Sequence, residues 1–177
     1  MGEEWHGSAP HLLFFVLHML IGILSDTHDD MSSIRRAVDT FNARGVSHAI
    51  HAGDLVSPFT FELFGTLQCN MTAIFGNNDG DRVLLRQKSK ENIHPQPFLM
   101  TFNDKRIVVV HEPDLVSALA DSGHFDLIIY GHTHTPDIRK VNGTLIVNPG
   151  KTALLHKGKS TIALLESEKM EAEIISL

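Results

Sequence analysis

From Met19 onward, short runs of aliphatic residues alternate with segments whose apolar positions recur every three or four residues. Leu20 to Leu24 ("LIGIL") has the length of a buried strand. In the segment after it Ile34, Ala37, Val38 and Phe41 share one helical face, with Ser32 or Ser33 able to cap the start and Gly45 placed to end it. Residues 48–53 ("HAIHAG") read as a second strand. Ser57-Pro58 then opens a helix carrying Phe59, Leu63 and Leu67, because proline suits the first helical turn. "MTAIF" (71–75) reads as a third strand and residues 81–90 as a short helix. This βαβαβ order predicts a parallel sheet with helices on its faces.

The second half is richer in strands. "FLMTF" and "RIVVVH" flank Asn103-Asp104, a pair suited to a hairpin turn, and a helix is expected from about Pro113 to Gly123. "FDLIIY" (125–130) reads as another buried strand. "DIRKV", Asn142-Gly143 and "TLIVN" form the clearest hairpin, since Asn-Gly favours the type I′ turn, and "STIALLES" with "KMEAEIISL" reads as a closing pair. No repeat or linker interrupts residues 19–177, which are expected to form a single α/β domain.

Residues 1–18 stand apart. The apolar run from Leu12 to Leu24 is broken by His18 and Gly22 and is shorter than the roughly 20 residues of a membrane span. The preceding "MGEEWHGSAPH" has two glutamates and no Lys or Arg, unlike a signal peptide. These residues are read as an N-terminal extension, or as the product of a start assigned upstream of Met19. The composition, 42% hydrophobic and 20% charged, is globular, and the net charge of −6 disfavours a stable nucleic-acid complex. One cysteine, Cys69, cannot form an internal disulfide and points to a reducing, cytoplasmic setting, and the short apolar run gives no expectation of a membrane partner. Twelve histidines beside one Tyr and one Trp direct attention to metal or acid–base chemistry.

The polar residues fall just beyond the expected strands: Asp26 and His28 after the first, Asp54 after the second, Asn77 after the third, His111 at the end of "IVVV", and His132 and His134 after "LIIY". The C-terminal ends of parallel strands share one edge, where loops from distant parts of the chain converge. Residues i and i+2 of an extended chain point the same way, so Asp26/His28 and His132/His134 could each aim two donors into one cavity. Singly, each motif is more often a solvated loop, a helix cap or a satisfied core histidine. Their joint occurrence at five strand ends points to metal binding. His51 could orient a ligand or simply pack beside the core, and Arg82 reads as a surface cation at a helix start or a contact for phosphate. His124 is expected beyond a helix end, Cys69 packed, and His6, His11, His18, His48, His94 and His156 without an assigned partner.

"GILSDTHDD", "IHAGDLV", "IFGNND", "VVVHE" and "IYGHTHTP" resemble the five ordered blocks of the calcineurin-like metallophosphoesterases. The resemblance runs from about Ile21 to Gly150 and extends to "VNPG", as in small single-domain phosphodiesterases. It implies a four-layer αββα sandwich, and two divalent transition-metal ions at the strand ends (Mn, Ni, Fe, Co or Zn, with Mn favoured). By the same resemblance Asp26, His28 and His134 would hold one ion, Asn77, His111 and His132 the other, and Asp54 would bridge both. The implied reaction is phosphodiester hydrolysis by a bridging hydroxide on a small phosphate-ester substrate. Alternatives are a phosphomonoesterase or nucleotide hydrolase on the same scaffold, and a non-catalytic metal-binding interaction scaffold. Room is left for a homo-oligomer.

Three positions depart from the family pattern. Asn78 stands where catalytic members carry a histidine polarised by the following aspartate, here Asp79, and a carboxamide releases no proton near neutral pH. Asn78 and Asp79 are therefore read as the catalytic pair in altered form, Asn78 bonding a phosphate oxygen and Asp79 anchoring the loop. Good leaving groups should react best. Glu112 replaces a common glycine after His111, and Lys151 stands where serine often follows "NPG".

Overall fold

Alternate residues of the central strands face two different apolar clusters, and this sorts the chain into layers. The computed structural model describes residues 19–154 and 158–177. The N-terminal extension, with His6, His11 and His18, and also His156, lie outside the described residues.

The first half runs β1 (Leu20–Leu24), α1 (Met31–Ala43), β2 (His48–His51), a 3₁₀ turn (Pro58–Thr60) leading into α2 (Phe61–Phe64), β3 (Asn70–Ile74), α3 (Arg82–Lys88) and β4 (Ile93–His94). The second half runs β5 (Phe98–Phe102), β6 (Lys105–Val109), a 3₁₀ turn (Pro113–Leu115) leading into α4 (Val116–Asp121), β7 (Leu127–Ile129), β8 (Asp137–Val141), β9 (Thr144–Asn148), β10 (Thr161–Glu166) and β11 (Glu171–Ser176). One sheet has the order β11-β10-β1-β2-β3-β4 and the other β5-β6-β7-β9-β8. β1 to β4 are mutually parallel, as are β6, β7 and β9; β10, β5 and β8 pair antiparallel.

Ile21, Ile23, Ile50 and Ile74 of the first sheet meet Ile107, Val109, Leu127, Ile129 and Val147 of the second in a central core. Leu24, Ala49, Ala73 and Leu164 turn the other way and bury Ile34, Val38 and Phe41 of α1. On the far side Val108, Ile128 and Ile146 pack against Val116 and Ala120 of α4. Three apolar interfaces between four layers make the αββα sandwich, and strands buried on both faces explain their unbroken apolar runs.

Both expected hairpins form. Asn103 and Asp104 have φ of 49° and 60°, and Asn142 and Gly143 have 50° and 88°, the left-handed pair that a type I′ turn needs. Local expectations are corrected at three places. The cap of α1 is Asp30, not Ser32 or Ser33: its carboxylate accepts from Ser33 N (3.1 Å) and from both serine hydroxyls. Burial opposes its charge, yet these bonds and the Leu154 N–H hold Asp30 well below the usual carboxylate range. The helix begun at Pro58 is only a 3₁₀ turn and one α-turn; Gly65, a poor helix former, ends it before Leu67, and Phe59 stays 49% exposed. The strand β4 was not anticipated, because two residues carry no periodicity.

Candidate metal centre

Five strand ends, three from the first sheet and two from the second, deliver the seven donors to one place. The means differs from the expected pleat. Asp26, His28, Asp54, His132 and His134 all have positive φ, between 39° and 64°, so tight left-handed turns rather than extended i, i+2 spacing make the side chains converge. Non-glycine residues adopt this region sparingly, and such strain gathers where function over-determines the backbone.

The donors form two groups. In the first, Asp26 Oδ1 lies 3.2 Å from His134 Nε2 and 3.8 Å from His28 Nε2, while His28 Nε2 is 3.6 Å from Asp54 Oδ2. In the second, Asn77 Oδ1 lies 3.0 Å from His111 Nε2 and 2.9 Å from His132 Nδ1, with His111 Nε2 3.4 Å from Asp54 Oδ2. His111 Nδ1–H donates to the Ala52 carbonyl at 2.7 Å, which turns the Nε2 lone pair inward. Asp54 touches both groups.

These residues fit divalent cations. A first-row ion about 2.0–2.2 Å from each ligand sets neighbouring donors roughly 3–3.6 Å apart. Among the described residues, buried Asp26 Oδ1 and His28 Nε2 make no hydrogen bond, although buried polar atoms almost always find a partner. Asp26, Asp54 and His111 are buried as the floor, while Asn77, His132 and His134 are exposed at the rim. Burial disfavours a charge on His111, but Asp54 and the Ala52 carbonyl lift it to about 9; the same contact, with the Asn78 bonds, holds Asp54 low against its own burial. A cation held here would compete for that imidazole lone pair, so loading the site would release protons.

Asp79 is a loop anchor. Its carboxylate accepts from the backbone N–H groups of Asp54 (3.1 Å), Gly76 (2.7 Å) and Val56 (2.7 Å). Asn78 reaches Asp54 instead of open space, donating from its backbone N to Oδ1 (2.8 Å) and from Nδ2 to Oδ2 (2.7 Å). Arg82 donates to the Gly76 carbonyl at 3.0 Å and lies over the Phe75 ring, so it braces the loop. Two glycines are needed for close approach: a Cβ on Gly76 would fall on Asp54 Oδ1, and one on Gly131 would strike Ser25 Oγ and Asp26 Oδ2.

His51 packs beside the core and bonds the loops around the candidate ligands rather than a ligand itself. It is fully buried against Phe64, its Nδ1 accepts from Gly53 N (3.2 Å), and its Nε2–H therefore donates to Thr27 Oγ1 (3.0 Å), between Asp26 and His28. Burial pushes its pKa down to about 3, so it stays neutral. Sequence reasoning passed over Asn148, the fully buried asparagine of "VNPG", whose Nδ2 donates to Gly131 O (2.9 Å) and Thr133 Oγ1 (3.0 Å) and so shapes the loop bearing His132 and His134. Its signal is an asparagine closing an apolar strand. Glu112 is held by Gln96, which also accepts from His111 N (2.6 Å). His124 follows α4, Cys69 packs against the core under α1, His48 bonds Thr72 and His94 stacks on Phe98.

The family model of the calcineurin-like phosphoesterase superfamily domain matches residues 19–170. The phosphodiesterase MJ0936 of Methanocaldococcus jannaschii is 38% identical over 165 residues, covering 90% of this chain and 99% of the relative. A solved structure of an archaeal phosphodiesterase superposes with a TM-score of 0.85 at 36% identity, covering 90% of this chain and 100% of that one. Vps29 of Entamoeba histolytica, solved with Zn²⁺, shares the fold at 18% identity and a TM-score of 0.64, covering 89% of this chain and 99% of that one. With the five loops in place and the match spanning most of the chain, this protein belongs to the calcineurin-like phosphoesterase superfamily and is a phosphoric ester hydrolase.

Proposed function

We propose that the chain is a phosphodiesterase working with two divalent transition-metal ions, Mn favoured. The observation that carries this is the convergence of seven N and O donors in two groups that meet at Asp54, the first holding a buried Asp26 oxygen that makes no hydrogen bond among the described residues. Asp26, His28 and His134 would hold one ion, Asn77, His111 and His132 the other, and Asp54 both. Two such ions supply an acidified water as nucleophile and a clamp on the oxygens of an in-line displacement.

The chain's own residues set the preference. Two carboxylates against four positive charges leave a surplus suited to an anionic ester. His132, His134 and Asn77 stand exposed at the rim, where a phosphoryl group can approach. Asp79 and Arg82 hold the loop, and Asn78 can hydrogen-bond a phosphate oxygen when it swings from Asp54, but it cannot protonate a leaving oxygen. Diesters with good leaving groups follow as the favoured substrates. A cytoplasmic setting agrees with the single cysteine; among the described residues no helix is long and apolar enough to cross a membrane.

The test compares bis(p-nitrophenyl) phosphate, an alkyl diester and p-nitrophenyl phosphate, each with Mn²⁺ and with chelator. Mn²⁺-dependent turnover, fastest on the aryl diester, is expected. Equal rates with and without metal would overturn the reading, and a preference for the monoester would move the assignment to a phosphomonoesterase or nucleotide hydrolase.

A further inference from the structure

The two carboxylate oxygens of Asp26 have unequal surroundings. Oδ2 accepts from Ser25 Oγ at 2.6 Å and from His132 N at 3.0 Å. Oδ1 is buried, makes no hydrogen bond among the described residues, and faces His134 Nε2 at 3.2 Å and His28 Nε2 at 3.8 Å. A carboxylate oxygen carries two lone pairs, so the two donors fill Oδ2 and leave Oδ1 wholly free for a cation.

Ser25 is held in place for this contact. It directly follows β1, is fully buried, and its own carbonyl accepts from Thr152 N at 2.9 Å. The other acceptor near its hydroxyl, the Gly53 carbonyl, lies at 3.5 Å, so the proton belongs to Asp26. Gly53 O is instead taken by Asp26 N at 3.0 Å, which fixes the backbone of the acceptor as well. The hydroxyl occupies space that Gly131 leaves open, since a Cβ there would fall 2.1 Å from Ser25 Oγ.

We infer that Ser25 is a positioning residue: together with the His132 N–H, its hydroxyl engages Oδ2, turns Oδ1 toward the first ion and restricts Asp26 to one ligating oxygen. The inference rests on the two-ion reading and adds to it the residue that sets how Asp26 binds. A carboxylate ligating through both oxygens takes two coordination positions; through one, it leaves a position open for water or a phosphoryl oxygen. The bond from His132 N also joins Asp26, of the first donor group, to the backbone of a residue in the second. Short bonds to a charged acceptor are the strong ones, and losing such a partner behind a metal ligand typically costs about 10- to 100-fold in metal affinity.

The probe is Co²⁺, whose visible absorption reports the geometry of its ligands, titrated into chelator-treated unaltered protein and Ser25→Ala well below their melting temperatures. In Ser25→Ala one of the two Co²⁺ equivalents is expected to bind about tenfold more weakly and with altered absorption, the other changing less. Loss of a merely structural hydroxyl would lower the melting temperature and leave both affinities as they were. That is the outcome expected of the control Thr144→Val, which removes a buried hydroxyl bonded to the Phe125 carbonyl at 2.7 Å. Unchanged affinities in Ser25→Ala, or equal weakening of both equivalents, would overturn the inference and leave the two-ion reading intact. If the unaltered protein takes up no Co²⁺, the two-ion reading itself fails and the inference with it. A crystal structure of the unaltered protein loaded with Mn²⁺ decides the matter whether or not Ser25→Ala folds. Ligation by Asp26 through Oδ1 alone supports the inference, and ligation through Oδ2 or through both oxygens overturns it.

Discussion

Asn78 carries the largest chemical consequence of any single residue in the site. Its amide clamps Asp54 through both the backbone N and Nδ2 at 2.8 and 2.7 Å, so the position steadies a proposed shared ligand while supplying no proton. General acid catalysis contributes about 10²- to 10⁴-fold, and it counts most when the leaving oxygen is basic. Asn78→His keeps the backbone bond and installs an acid. The variant is expected to raise kcat on an alkyl diester by about tenfold or more, with little change on an aryl diester. Gains equal on both substrates, or absent from both, would mean that Asn78 does not stand in the place of an acid. The seven candidate positions were legible only jointly, because each falls at or just beyond an apolar run while any one of them alone reads as an ordinary loop, cap or core residue. What held them was less so: Asp79 could be named a loop anchor, but its three backbone partners lie in loops 23 and 25 residues upstream as well as its own. Asn148 offered only an ordinary strand-end asparagine.

At the scale of elements, β2 and the loop after it show how burial becomes a pH response. His51 ends β2, bonded to Thr27 and Gly53, and Asp54, His111 and His28 are the titratable groups that bear on it. Its folded pKa is depressed to about 3, below the ordinary 6.5, so its share of stability is complete above pH 6.5 and is lost as pH falls toward 3. His111 acts with the opposite sign: its pKa is raised to about 9, so its share is complete below 6.5 and lost as pH rises toward 9. For His51 alone, metal-free protein at pH 5 should be about 2 kcal/mol less stable than at pH 7. Urea unfolding at the two pH values checks this, and His51→Gln should remove that part of the difference. An identical pH dependence in the variant would show that His51 is not held neutral. The elements themselves were largely readable, since helix and strand periods differ. The assignment of strands to two sheets was not, because Ile and Val on both faces of a doubly buried strand do not say which neighbour each face meets. The convergence of Asp26 with His28 was expected from a pleat and arises from left-handed turns, which side-chain spacing alone does not reveal.

For the whole molecule, the decisive feature is that neither donor group belongs to one sheet. Asp26 and His28 follow β1 and Asp54 follows β2, but His134 follows β7; Asn77 follows β3, but His111 and His132 follow β6 and β7. Each proposed ion therefore ties the two sheets together across the top of the central core, and an unfolded chain offers no such cluster. Any ligand that binds only the folded state stabilises it by mass action, about 2.7 kcal/mol at a hundred times Kd. For a domain of this size each kcal/mol moves Tm by about 2–4 °C, so saturating Mn²⁺ should raise Tm by roughly 5–10 °C per site, reversed by chelator. His134→Ala tests whether the rise comes through these donors. The side chain is 43% exposed, so its removal leaves the apolar cores intact and metal-free stability should change little. The rise with Mn²⁺ should nevertheless shrink, because the first donor group loses its only residue from the second sheet. Calorimetry with and without Mn²⁺ on both proteins measures this, and an equal rise in the two would place the stabilising ion somewhere other than between Asp26, His28 and His134.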